Sequence, residues 1–212
     1  MHAYPSVPSA QLSFDLSAAP DGFLYLPDFI DSKEEAALLA AVAGVDYKAV
    51  VMHGQAAKRT VAHFGVTYGY SSWSLDEAAP LPDWVQPILP GVAAVMNTRP
   101  EAIGQLLVSH YPPGARIGWH RDAPLFGPTV AGLSLGGAST LKLRRERAGG
   151  TDQYAVPLAP RSVYVIGGAA RTLWQHMIPP VTETRYSLTF RTLRPGARPS
   201  RVDLRRAGDV PG

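Results

Sequence analysis

The second half of this chain is cut into short pieces. Between residues 105 and 192, seven stretches rich in extended-type residues (105–111, 129–135, 140–144, 153–158, 162–166, 174–178 and 185–192) alternate with turn formers. Those breaks are Pro112-Pro113-Gly114, Gly136-Gly137, Gly149-Gly150, Ala159-Pro160 and Gly167-Gly168. Such punctuation rules out a long helical bundle, and many short strands at this spacing point to a β-sandwich or jelly roll. The first half supplies helices. Ser32 followed by Glu35 has capping-box spacing and Leu38, Leu39 and Val42 give an apolar stripe, which predicts a helix over 32–43. Residues 22–30 read as a strand and turn, 50–73 as strands joined by loops, and 82–97 as a helix bent or broken near Pro87 and Pro90. The expected class is mainly β with flanking helices (α+β), buttressed at the N-terminal side.

At 212 residues, with no internal repeat or linker, the chain has the length of one domain. We place it at 21–193, after a Ser-, Ala- and Pro-rich arm over 1–20 and before a basic tail over 194–212. The tail holds five arginines against two aspartates and accounts for the whole net charge of +3. A second cluster, Lys142, Arg144, Arg145 and Arg147, is diluted only by Glu146. Both clusters permit a phosphate-bearing partner, and a solvated surface explains either one equally well. The absence of cysteine excludes disulfides, a thiol nucleophile and thiolate metal sites. Met1 to Pro5 lacks the basic region of a secretory signal, and the longest apolar run, from Ala36 to Val45, is too short to span a bilayer. The expectation is a cytoplasmic monomer with no membrane partner.

Chemistry enters at His120-Arg121-Asp122. In extended chain the imidazole and carboxylate project to one side, so both reach one metal ion. Two histidines and a carboxylate make the facial triad that suits iron(II) and leaves coordination positions open. The third ligand must come from His2, His53, His63, His110 or His176. His176 is the strongest of these, because an unpaired imidazole in the apolar strand Leu173-Trp174-Gln175-His176-Met177-Ile178 is costly. His110 is weaker, since its neighbours Ser109 and Tyr111 face the opposite way. Trp174 shares the parity of His176, whereas Trp119 is assigned to packing. By itself an HxD is a common surface pair, a strand histidine is usually a hydrogen-bonded core residue, and His-His-Asp also binds zinc.

The last strand raises the odds. Period two puts Arg185, Ser187, Thr189 and Arg191 on one face and Tyr186, Leu188 and Phe190 on the other. If the apolar face meets the core, two guanidinium groups point into a cavity, where they need anionic partners; a dicarboxylate satisfies both. The bland alternative is an edge strand whose arginines discourage aggregation.

These pieces together resemble the AlkB family of Fe(II)/2-oxoglutarate dioxygenases. The likeness is carried by Arg59-Thr60-Val61-Ala62-His63-Phe64-Gly65, Tyr111-Pro112-Pro113-Gly114, His120-Arg121-Asp122 and Leu133-Ser134-Leu135-Gly136. It continues through His176 and Arg185-Tyr186-Ser187-Leu188-Thr189-Phe190-Arg191, so it runs in order from about residue 59 to 193. The resemblance implies a double-stranded β-helix (jelly roll) with His120, Asp122 and His176 on Fe(II). It further implies that Arg185 and Tyr111 hold the distal carboxylate of 2-oxoglutarate, with Arg191 near its metal-chelating end and O2 as cosubstrate. Many members carry asparagine where this chain has Ser109 and Ser187, so contacts there are lost or run through water. A short spacing from His176 to Arg185 resembles the branch that includes tRNA hydroxylases.

The implied reaction is oxidative dealkylation of a base of the 1-methyladenine or 3-methylcytosine type in DNA, with RNA also possible. The base would come from a single strand or be flipped from a duplex. Tyr68, Tyr70 and Trp73 fall where the family places its substrate-covering lid, and Lys58 and Arg59 are candidates for phosphates; core packing is the commoner role for such aromatics. Two rivals remain at this point. One is a hydroxylase of a modified tRNA base or a methylated protein, and the other a non-catalytic cupin-like module binding metal and nucleic acid.

Overall fold

The alternation in the last strand sets the architecture. The computed structural model of the protein describes residues 19–52, 55–69 and 74–197. A seven-stranded antiparallel sheet runs in the order β1-β11-β8-β13-β6-β3-β2, with β1 at Phe23–Leu26, β2 at Lys48–Met52 and β3 at Gln55–Phe64. Its inner strands are β6 (Ile103–Tyr111), β8 (Phe126–Gly136), β11 (Val163–Ile166) and β13 (Arg185–Leu193). A four-stranded sheet, β10-β9-β12-β7, holds β7 (Ile117–His120), β9 (Ser139–Arg147), β10 (Gly150–Leu158) and β12 (Gln175–Ile178). A separate hairpin pairs β4 (Val66–Gly69) with β5 (Ser74–Glu77). The expected jelly roll is therefore what forms.

The large sheet is buried on both faces, for different reasons. Leu106, Val108, Leu133, Leu135, Leu188 and Phe190 pack against Leu38, Val42, Val85 and Val92 of the helical layer. On the opposite face Tyr111, Tyr164 and Ile166 join Leu141, Leu143, Val156, Leu158 and Ile178 of the small sheet. Because side chains alternate across a strand, whatever polar residues share parity with Tyr111 are forced between the sheets.

The first helix, α1 (Ser32–Ala43), has the predicted span but not the predicted cap. Asp31, not Ser32, is the N-cap: its carboxylate accepts from Glu34 N at 2.8 Å, and Glu34 Oε2 accepts from Asp31 N at 2.8 Å. An aspartate one residue earlier offers the same spacing with a charged acceptor near the helix dipole. Glu35 is thereby free to brace the helix on the sheet. It accepts from Gly136 N at 3.0 Å and from Arg161 Nη1 at 3.2 Å. The proline-bearing segment forms a 3-10 helix at Asp83–Ile88 followed by α2 (Leu89–Val95), so the expected break falls between Pro87 and Pro90. A short α3 (Gly168–Thr172) links β11 to β12. No helix among the described residues is long and apolar enough to cross a membrane.

Candidate active site

Strand β7, four residues long and not delimited from sequence, ends on His120, and the antiparallel pairing of β12 sets His176 directly opposite. The two imidazole centroids lie 4.2 Å apart. Asp122 follows immediately beyond the strand end, with Oδ2 3.7 Å from His176 Nε2. A carbonyl only accepts, so the 2.8 Å contact between His120 Nδ1 and Gly118 O makes Nδ1 the donor and leaves Nε2 its lone pair. Burial pushes His176 down to about 3 and lowers His120 as well, keeping both rings neutral. Burial would raise the Asp122 carboxyl, but Arg191, His176 and Arg171 overturn that and hold it well below the usual range. Two neutral imidazoles and one ionised carboxylate are the donor set that iron(II) takes. Among the described residues no trio of acidic or histidine side chains stands ready-made around a metal position. Here Asp122 Oδ1 is engaged by Arg191, through Nε at 3.0 Å and through Nη2, while Oδ2 is left facing His176. The donors fit by chemistry, and Arg191 is what occupies the carboxylate.

The other half of the site hangs from the large sheet. Arg185, 1% exposed, lies opposite Tyr111 on β6 and Gly136 on β8. Its Nη2 donates to Ser134 Oγ at 2.9 Å and its guanidinium lies 5.3 Å from the Tyr111 ring centroid. Nε and Nη1 are buried and have no hydrogen-bond partner among the described residues. Leaving a buried cationic donor unsatisfied is expensive, so the position calls for an anion. Ser187 stands between Ser109 and Ser134 in register, making a row of three short hydroxyls across β6, β13 and β8. Where many members carry carboxamides, Ser109 Oγ accepts from Arg59, and next to Ser187 in the row Ser134 Oγ accepts from Arg185. Arg191 Nη1 donates to Gln105 Oε1 at 2.6 Å, and Gln105 Nε2 to Val66 O at 2.7 Å.

Several residues sit differently from expectation. Arg59 does not face solvent or phosphates. It is 8% exposed, shares the inward parity of Val61, and donates from Nη1 to Ser109 Oγ at 3.2 Å, so a third guanidinium lines the cavity. Lys58, one residue earlier, is exposed. Tyr68 lies on β4, while its side chain, together with Tyr70 and Trp73, falls outside the described residues. His110 is on the helix-facing side, stacked on Tyr186 with centroids 4.9 Å apart. His63, on β3, is not among the residues lining the cavity. Trp174 is buried, while Trp119 is half-buried beneath the Arg144 guanidinium at 4.5 Å.

Sequence reading missed Tyr164. It pairs with Gly132 across β11 and β8 and lines the same cavity, and burial pushes its phenol upward, so it stays protonated. Its only sequence signal was a tyrosine in an apolar strand, which gives no facing. Leu107, Ile117, Val130, Leu141 and Ile178 complete an apolar wall. The cavity, about 40 Å³, gathers three guanidinium groups, two imidazoles and one carboxylate against this wall, so donors for a cation and partners for an anion lie side by side.

Comparison with known proteins agrees with this chemistry. The sequence profile described as the 2OG-Fe(II) oxygenase superfamily matches residues 22–194. An Arabidopsis thaliana protein named alkylated DNA repair protein ALKBH8 homolog is 31% identical over 181 residues, covering 74% of this chain and 51% of that protein. The Mus musculus tRNA (carboxymethyluridine(34)-5-O)-methyltransferase ALKBH8 is 31% identical over 173 residues, covering 78% of this chain and 25% of its own length. The chain thus spans about half of the first relative and a quarter of the second. Among solved structures, that of OsALKBH1 superposes with a TM-score of 0.64 at 16% identity, covering 82% of this chain and 97% of the other, a likeness of fold.

Proposed function

Because the chain belongs to the 2OG-Fe(II) oxygenase superfamily, and within it to the AlkB family of dioxygenases, we propose that it oxidatively demethylates alkylated nucleobases of the 1-methyladenine and 3-methylcytosine type in DNA, with RNA the other candidate backbone, releasing formaldehyde and succinate. Family membership brings Fe(II), 2-oxoglutarate and O2. The observation that carries the site assignment is the Arg185 guanidinium, wholly enclosed with two nitrogens unpartnered and on the strand that also brings Arg191 to Asp122.

In this reading His120, Asp122 and His176 hold the metal, their neutral and ionised states already set by burial and by Arg191. Arg185, with Tyr111 and Ser134 beside it, takes the distal carboxylate of 2-oxoglutarate through Nε and Nη1. Arg191 would lie toward the metal-chelating end of the cosubstrate, with Ser109 and Ser187 lining the same cavity. When bound, the iron with its cosubstrates supplies the oxidant that hydroxylates a substrate C–H bond. On an N-methyl group the product loses formaldehyde and restores the base. The apolar wall excludes water, and the target base comes from a single strand or by flipping.

A second reading, hydroxylation of a modified tRNA base, is favoured by the likeness to the mouse tRNA-modifying relative and by the short spacing from His176 to Arg185. One incubation separates them. Protein with Fe(II), ascorbate and 2-oxoglutarate is given 1-methyladenine and 3-methylcytosine oligonucleotides in both backbones, alongside bulk tRNA. Loss of one methylene with formaldehyde supports demethylation; gain of one oxygen on tRNA supports hydroxylation instead. Succinate formation unaffected by any nucleic acid would overturn both.

A further inference from the structure

Asp122 separates two cavities. Beyond it lies a cavity of about 740 Å³, walled by the loop over residues 121–124, the start of β8, α3, and Arg194 just past β13. Three arginines line it, Arg121, Arg171 and Arg194. Asp122 is the single acidic residue among the described lining; Arg191 holds its carboxylate directly, and its charge is also felt by Arg171. None of the three arginines has an ion-pair partner among the described residues.

Their hydrogen bonds go to main-chain carbonyls. Arg121 Nη2 donates to Leu173 O at 3.1 Å; Arg171 donates to Asp122 O at 3.0 Å and to Ala123 O at 2.9 Å. Carbonyls orient a guanidinium without cancelling its charge. Arg171 is 9% exposed and its Nε has no hydrogen-bond partner among the described residues, so its charge is held in poorly screened surroundings. The remaining walls, Ala123, Pro124, Pro128 and Pro195 among them, are flat and apolar. A rim of three arginines that shares one carboxylate, over apolar walls, fits a group that is anionic on one side and carries a ring or sugar on the other.

We propose that this cavity receives the backbone phosphate of a nucleotide adjacent to the base under oxidation. The assignment rests on the nucleic-acid reading above. Position supports it: the cavity wall and the proposed metal ligand are the same residue, so a strand whose base enters the barrel passes beside Arg121 and Arg194. Phosphate contacts of this kind set register and leave chemistry to the inner site.

The test pairs a change in the protein with one in the strand. Single-stranded oligonucleotides carry 1-methyladenine flanked by an ordinary phosphodiester or by a neutral methylphosphonate on its 5′ or 3′ side, and binding is read by fluorescence anisotropy. The Arg121→Gln/Arg194→Gln double variant, with each single variant as a check on folding, is expected to bind the ordinary strand about tenfold more weakly and with a salt slope lower by roughly one. Lys33→Gln, at an exposed position of α1 that does not line this cavity, is expected to match wild type. For wild type, one of the two methylphosphonates should cost about tenfold; for the double variant the same replacement should cost nothing further, the signature of a shared contact. Equal losses in both proteins would overturn the cavity assignment and leave the nucleic-acid reading standing. Failure of wild type to bind any oligonucleotide would overturn both.

Discussion

Gly132 lies beneath the ring of Tyr164: a Cβ built at position 132 would fall 2.3 Å from Tyr164 Cζ and 2.5 Å from its hydroxyl oxygen. Glycine weakens the middle of a strand, and here it is what lets a phenol reach across a neighbouring strand into the cavity. Gly132→Ala is expected to displace that ring, lowering stability by about 1–3 kcal/mol and raising the KM for 2-oxoglutarate. Urea unfolding and succinate kinetics check it; a variant with wild-type values for both would remove Tyr164 from the site.

Arg185 should show opposite effects on stability and on function. Its burial without an anion is unfavourable, so Arg185→Met is expected to leave the cofactor-free protein as stable as wild type, or more so by about 1 kcal/mol. The same variant should lose most of the thermal shift that 2-oxoglutarate gives and need at least tenfold more cosubstrate for turnover. An unchanged apparent affinity would mean that the clamp lies elsewhere.

Asp122 anchors Arg191, so neutralising it has a structural cost as well as a chemical one. Asp122→Asn is expected to destabilise the protein by about 3–5 kcal/mol, the penalty for stranding a buried partner charge. It should also abolish binding of Mn(II), a redox-quiet probe for the metal position, in titration calorimetry. Tight Mn(II) binding by the variant would rule out the proposed ligand set.

His63 gives a pH dependence independent of the proposed metal ligands. Burial, with repulsion from Arg191, Arg59 and Lys48, pushes its imidazole down to about 4 from an ordinary 6.5, and its Nδ1 is buried without a partner. The unfolded chain therefore takes up the proton first as pH falls. Stability is undiminished above about 6.5 and is lost progressively toward pH 4, by on the order of 3 kcal/mol for this group. His63→Gln should shrink the difference in urea midpoint between pH 7 and pH 4.5, and an identical difference in the two proteins would show that His63 does not report its burial.

What could be read from sequence was whatever depends on local periodicity. The facing of Arg185 and Arg191 follows from Leu188 and Phe190 on the opposite parity, and the HxD spacing needs only extended chain. Facings that depend on which strand lies alongside were not legible. Arg59 belongs inside because β3 pairs with β6 and sets Val61 opposite Ser109. Tyr164 enters because its cross-strand partner is a glycine. Ser32 and Glu35 have capping-box spacing, yet Asp31 and Glu34 form the cap, because Glu35 is drawn to Gly136 and Arg161 by tertiary contacts that local spacing does not show.

The proposed metal ligands sit on or just beyond the small sheet, and the arginines that would grip the cosubstrate hang from the large one. A molecule chelated at one end and clamped at the other is then a rivet through the sandwich, stabilising the closed barrel in proportion to the logarithm of its concentration. For such a protein, supply of 2-oxoglutarate governs resistance to unfolding and proteolysis as well as turnover, so starvation for the cosubstrate would shorten the lifetime of the enzyme itself.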